Sequence, residues 1–324
     1  MRTVAIVGRG RAIRRNAERY ECIDDVAVGG LVTDAPTEIP EGIDAPAYGT
    51  LDESLRELPV DAVDVCGPAA EHRSTVRTAL EAGLSVRCDP PLAYAREDLD
   101  SLVSTADASD GRLVAASVNR FSRLYGRMRD HAEGGGIGSL GVARIKRTAP
   151  SPDQGWNAWY VALRAAETPG TVLGAVAAHD FDVLRWLFGP IDRVFARAAE
   201  GGAYDHVHVL LRFENGAKGQ VEVTWSDAAV PPRVEIELAG DHGVVRFTEE
   251  DAVSVRSSGG ETIDPAARDD DCYARMLRAF VNRSDRAADG AADVSAAAAA
   301  TRAVLATRRS IAEGRPVSID EVSA

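Results

Sequence analysis

The chain has 324 residues, 45% of them hydrophobic, which suits two folded cores better than one small one. Its formal charge of −13, from 50 acidic and 37 basic residues, repels phosphate backbones and anionic headgroups. Nucleic acid and membrane surfaces are therefore excluded as first readings.

Lys146 and Lys218 are the only lysines, so nearly all positive charge is arginine, a composition like that of proteins adapted to high salt. Cys22, Cys66, Cys88 and Cys272 show no C-x-x-C spacing, and the first residues "MRTVAIVGRG" enter a strand pattern directly. A reduced, cytoplasmic setting is the expectation. No apolar run reaches the roughly 18 residues of a membrane span.

Up to about Ala115, the short apolar runs "TVAIVG", "VAVGGLV", "AVDVCG", "LSVRC" and "LVAAS" alternate with longer amphipathic stretches. That rhythm predicts a parallel sheet covered by helices on both faces. After Asn119 the runs "VARIKRTA", "DRVFARAA", "HVHVLLRF", "KGQVEVTWS", "RVEIELAG" and "GVVRFTEE" follow at hairpin spacing, with turns such as "ENGA" and "GDHG". They predict a large, mostly antiparallel sheet. Helical patterns lie at about 158–166, 171–188, 271–283 and 292–313, and "GGGIGSLG" reads as a turn because it leads into a strand. The fold class is thus α/β for residues 1–118, followed by an α+β domain over 119–324.

In "VAIVGRGRAIRRNAERY", Gly8 and Gly10 stand between the first strand and a helix, with Arg11 beside them. Backbone amides there can face a pyrophosphate. The third position of G-x-G-x-x-G is Ile13, whose bulk predicts a displaced helix and weaker affinity. Asp34 follows the second strand at about the spacing of roughly 20 residues where a carboxylate takes a ribose 2′-hydroxyl. NAD is thereby expected in preference to NADP, although Arg9, Arg11, Arg14 and Arg15 crowd the same loop and are equally readable as phosphate ligands or as a solvated helix face.

With these features, the chain resembles the Gfo/Idh/MocA family of sugar and polyol dehydrogenases over nearly its full length. The resemblance rests on the glycine loop, "CGPAAEH" (66–72), "CDPPLA" after the fifth strand, "NRFSRLYGRM", "GGGIGSLG", "GTVLGAVAAHDFDVLRWLFG", "YARMLRAF" and "RRSIAEGRPV". It implies an NAD-binding N-terminal domain, a C-terminal open-faced sheet through which copies associate, and a small sugar-like substrate. Gly67, Pro68, His72 and Asp89 fall at positions near the cofactor by this resemblance, and His72 reads equally as a packing histidine.

The family's Glu-Lys-Pro turn is replaced here by Asp89, Pro90 and Pro91, so the usual lysine is absent, and Pro91 is expected to keep the turn's backbone geometry. The family's D-x-x-x-H has Ala175 ahead of His179. On that helix Val172, Ala175, His179, Asp182 and Trp186 share a face. His179 with Asp182 is readable as a catalytic pair, in which the carboxylate fixes the imidazole tautomer, or as a structural one.

Lys146 points either at the site or at solvent, and Lys218 reads as a hairpin residue. Arg120, Trp156 and Tyr160 are substrate-pocket candidates from position alone. His206 and His208 share a strand face, but with no third ligand in view they read as a sheet-surface pair rather than a metal site. An NAD(P)-dependent oxidoreductase is the leading expectation. The alternative is a family member that keeps the fold and serves as a cofactor- or sugar-binding partner subunit.

Overall fold

The computed structural model describes residues 1–33, 42–67, 69–150, 176–199, 204–226, 233–248, 253–257, 260–264, 271–282 and 293–323. Its contacts cluster into two compact units. Of the described residues, unit 1 contains those up to Phe121 together with those of Asp271–Thr301, and unit 2 contains the others.

Unit 1 alternates strands and helices: β1 (Arg2–Gly8), α1 (Gly10–Glu21), β2 (Val26–Val32), β3 (Ala47–Tyr48), α2 (Leu51–Glu57), β4 (Ala62–Cys66), α3 (His72–Glu81), β5 (Ser85–Cys88), α4 (Arg96–Asp107) and β6 (Leu113–Ala115). The strands form one sheet in the order β3-β2-β1-β4-β5-β6, with every pair parallel. This order reverses between β1 and β4, and a doubly wound sheet binds ligands at such a switch point. Strands β4 and β5 are buried along their whole length, as a sheet covered on both faces requires.

Ile13, the bulky residue of the glycine loop, is fully buried in a core with Val4, Ile6, Ala17 and Leu31. The same core takes Met276, Leu277 and Phe280 from a later helix, α7 (Cys272–Val281). The sequence boundary after residue 118 thus does not capture α7, whose apolar face packs with α1.

Unit 2 carries α5 (Arg123–Glu133), β7 (Leu140–Pro150), α6 (Ala178–Phe188), β8 (Ile191–Ala199), β9 (Tyr204–Phe213), β10 (Lys218–Ser226), β11 (Arg233–Gly240), β12 (Gly243–Thr248), β13 (Val253–Ser257), β14 (Gly260–Asp264) and β15 (Val317–Ser318). They form a nine-stranded sheet, β14-β13-β12-β11-β7-β10-β9-β8-β15, antiparallel except for β7 with β10. Alternation sorts its faces: Ala143, Ile145, Val207, Val209, Leu211, Val221, Val223, Ile236 and Leu238 point inward and are buried, while Arg144, Lys146, His208 and Glu222 point outward. The final helix, α8 (Val294–Glu313), is the expected Ala-rich one. No helix among the described residues is long and apolar enough to cross a membrane.

Candidate functional site

The end of β1 and the start of α1 make a floor of bare backbone. A Cβ on Gly8 would stand 2.7 Å from Cys66 Sγ and 3.0 Å from the Cys66 carbonyl oxygen, so β1 and β4 approach there as only glycine allows. A Cβ on Gly67 would lie 3.7 Å from the Gly8 Cα, which sets the two glycines face to face. Gly10 takes a left-handed conformation, φ +47°, as the chain turns into α1. The residue that begins the helix, Arg9, gives no side-chain cap, and the first turn has no acidic residue. The amides and the positive end of the helix dipole are thus left for an anion.

Above this floor lies a cavity of about 330 Å³. Gly8, Thr33, Gly67, His72 and Thr75 are among its lining residues. Arg9 sits at the same wall, its Nη2 donating to Glu71 Oε1 at 2.9 Å. The uncapped amides at the start of α1, the bare backbone at Gly8 and Gly67 and the switch point of the sheet fit a dinucleotide.

His72 is fully buried. Its Nε2 is 2.9 Å from the Gly67 carbonyl oxygen, and its Nδ1 is 3.1 Å from the Leu92 carbonyl oxygen and 3.2 Å from Cys88 Sγ. Burial lowers its pKa, against the pull of the two carbonyls, and burial also holds the Cys88 thiol well above its ordinary value. Burial disfavours the charged ring, and each of its nitrogens faces a backbone carbonyl, Gly67 on one side and Leu92 on the other. His72 therefore braces the loop after β4 from beneath the cavity.

At the end of β5 the chain turns through Asp89 into a cis peptide bond between Pro90 and Pro91. The Asp89 amide donates to the Val65 carbonyl at 2.9 Å, and the Leu92 amide donates to Thr301 Oγ1 at 3.1 Å, so both sides of the turn are fastened. Asp89 accepts from Arg87 Nη2 at 2.5 Å, and Arg15 Nη2 stands 3.6 Å from its other oxygen. Arg87 is itself completely buried and also donates to Asp64, which in turn accepts from Asn16 Nδ2 at 3.1 Å. Burial opposes the Arg87 charge, but Asp64 and Asp89 together outweigh it and raise its pKa. Sequence reading missed this cluster because Arg87 sits inside an apolar strand run.

In unit 2, α6 begins at Ala178, and residues 176–177 form a wider turn just before it. His179 is half-buried, while Asp182, one turn later, is 4% exposed. The neighbouring carboxylate, Asp180, is fully buried and accepts from Arg147 Nε at 2.9 and 2.7 Å and from Arg147 Nη2 at 2.7 Å. Arg147, on the inward face of β7, also donates to Tyr125 of α5. Burial opposes its charge too, and Asp180 and Tyr125 overcome that and raise its pKa. This triad was not singled out from sequence, since its members are distant in the chain.

Arg120 is half-buried in a short turn, Val118–Phe121, with its amide donating to the Ser117 carbonyl at 3.1 Å. Lys146 points outward from the sheet, Nζ 3.5 Å from Glu222 Oε1, and Lys218 Nζ donates to the Gly216 carbonyl in its hairpin. Of Arg11 only the backbone is described, in α1, and Asp34, Pro68, Trp156, Tyr160, Val172 and Ala175 lie outside the described residues.

The description "Oxidoreductase family, NAD-binding Rossmann fold" matches residues 2–117, and "GFO/IDH/MocA C-terminal domain" matches residues 125–246. The chain belongs to the Gfo/Idh/MocA family of oxidoreductases. It is similar to Inositol 2-dehydrogenase 3 of Saccharopolyspora erythraea, 26% identical over 98% of this chain and 95% of that one. Myo-inositol 2-dehydrogenase of Thermotoga maritima is 28% identical over 68% of this chain and 67% of that one. In fold it is similar to an oxidoreductase from Agrobacterium radiobacter solved with NAD+, L-tartaric acid and magnesium, with a TM-score of 0.84, 19% identity and 98% of each chain covered. The match over residues 2–117 makes the parallel sheet of unit 1 an NAD-binding Rossmann fold.

Proposed function

We propose that this chain is an NAD-dependent dehydrogenase that moves hydride between nicotinamide and a carbinol carbon of a small cyclic polyol or sugar. The observation that carries the reading is the backbone floor of Gly8 and Gly67 beneath the cavity, beside the uncapped start of α1 where Gly10 turns the chain into the helix. The polyol class rests on the inositol dehydrogenases among its relatives.

NAD is preferred to NADP because Asp34 suits a ribose 2′-hydroxyl, and because two arginines of the loop already serve protein groups. Arg9 is paired with Glu71, and Arg15 sits between Asp89 and the Tyr273 ring.

When bound, nicotinamide supplies the hydride acceptor. The residues of this chain handle position and protons. Pro90 has nothing to titrate, so the group of this chain that would take the hydroxyl proton is the imidazole of His179, with Asp182, one turn on, as the carboxylate that would fix its tautomer. Asp89, fixed by Arg87 and Arg15, keeps the β5 turn and its carboxylate in place.

The test is calorimetric titration of the purified chain in molar salt with NADH and NADPH, followed by assay of NADH formation from inositols. Saturable, preferential NADH binding, polyol oxidation, and a fall of about 10²–10⁴-fold in His179→Ala with NADH affinity unchanged are expected. Absence of binding by either nucleotide refutes the reading. NADH binding without turnover of any polyol replaces it with the cofactor-binding partner subunit, to which the loss of the lysine at Pro90 points.

A further inference from the structure

Strand β9 presents His206 and His208 on the outward face of the nine-stranded sheet, and the β9–β10 register sets Glu222 opposite His208 and Thr224 opposite His206. Glu222, the third candidate ligand that the sequence alone does not bring into view, therefore stands across the strand pair. One ligand atom from each of His206, His208 and Glu222 falls within 4.8 Å of the others. The imidazole centroids are 4.4 Å apart, and His208 Nε2 is 4.0 Å from Glu222 Oε2.

We propose that His206, His208 and Glu222 form a zinc site on this face of the sheet. A tetrahedral shell with bonds of roughly 2.0–2.1 Å puts its ligand atoms about 3.3 Å apart. Closing from the observed separation takes adjustments of up to about 1.5 Å, within the rotamer freedom of side chains that are partly exposed. Two strand positions at i,i+2 and one cross-strand neighbour already share the required face.

The surroundings suit a metal ligand set. His206 Nδ1 is 2.6 Å from Thr224 Oγ1. With Nδ1–H donating to that hydroxyl, Nε2 offers its lone pair, the arrangement by which an outer group sets a ligating imidazole. Lys146 Nζ lies beside Glu222 Oε1, which leaves Oε2, on the His208 side, to meet the ion. Two imidazoles and one carboxylate select zinc, or cobalt as its spectroscopic substitute, over magnesium, and leave a fourth position open. The site lies wholly on the sheet and is independent of the dehydrogenase reading.

The experiment uses the untagged full chain, stripped with a chelator and titrated calorimetrically with ZnCl2, with cobalt(II) absorption as a second readout. Expected are one equivalent of zinc per chain, intense tetrahedral cobalt bands, and no competition from magnesium. Affinity should fall at least 100-fold in His208→Ala and in Glu222→Gln, and about 10–100-fold in Thr224→Val. Cys22→Ser, at an exposed thiol, should bind as the parent does. Absence of zinc binding by the parent at submillimolar concentration overturns the proposal, as does binding that survives in both ligand variants. Because the cobalt spectrum is read on the parent chain, it decides the matter even if a variant misfolds.

Discussion

Each unit sets an arginine against a fully buried carboxylate, and the two are held by different means. Arg147 in unit 2 has one carboxylate, Asp180, fully buried and bound through both Nε and Nη2, with the Tyr125 hydroxyl beside it. Arg87 in unit 1 is shared between Asp64, fully buried, and Asp89, whose side chain is 24% exposed. The first is a closed pair that fixes α6 and α5 to the sheet. The second is open at one end, and that end is the Asp89–Pro90–Pro91 turn. Burying charge is costly in either place, so what differs is where the remaining charge can go when a partner is removed.

The largest effect is therefore expected from Arg147→Met. It leaves Asp180 charged, buried and without its cation, and removal of one member of a buried pair costs about 3–5 kcal/mol. Denaturant unfolding of the variant checks this. If Arg147→Met loses under about 1 kcal/mol, the closed pair contributes no more than a surface one, and the contrast between the units disappears.

Arg87→Met is expected to cost less at neutral pH, because Asn16 still donates to Asp64 and Arg15 still faces Asp89. Its signature is a pH dependence. Burial already holds the Asp64 pKa above the ordinary 3.8, with Arg87 pulling it back. Without Arg87 the folded-state value rises further. A carboxyl that holds its proton more tightly when folded favours the folded state at low pH and loses that advantage as the pH rises through its folded pKa. The stability deficit of Arg87→Met relative to the parent should accordingly shrink as the pH falls toward 3.8. A deficit that is flat between neutrality and that value would show that Asp64 is not the group left stranded.

How far the sequence revealed these features follows from the reach of each signal. The parallel sheet, the Gly8–Gly10 loop and the hairpins were legible because periodicity and turn chemistry are local. The Arg147–Asp180–Tyr125 triad was not, since β7, α6 and α5 meet only in the folded chain, and His179 with Asp182 drew attention away from Asp180 between them. Glu222 was invisible as a partner of His208 for a related reason: its position is set by the register across the β9–β10 hairpin, and a one-residue slip would turn it to the other face. The helix α7 looked like part of the second domain because it follows that domain in sequence, yet its Met276, Leu277 and Phe280 complete the core around Ile13.

The smallest effect comes from a cluster that is exposed throughout, and it calibrates the two buried ones. Glu321 accepts from Arg315 Nη2 at 2.7 Å and from the Ser318 amide at 2.9 Å, and Arg315, with the amide, brings its pKa down to about 2. The sign is opposite to that of Asp64. A carboxyl whose folded value is depressed contributes stability above its ordinary 4.5, and that contribution is lost as the pH falls through about 2. An NMR titration should find the Glu321 carboxyl ionised well below pH 4.5, while Glu321→Gln unfolds at nearly the parent's denaturant midpoint. Solvent and salt screen an exposed pair far more than they screen Asp180, which is fully buried. A marked drop in the midpoint of Glu321→Gln would mean that burial is not what separates strong from weak ion pairs in this chain, and the contrast between Arg147 and Arg87 would then need another cause.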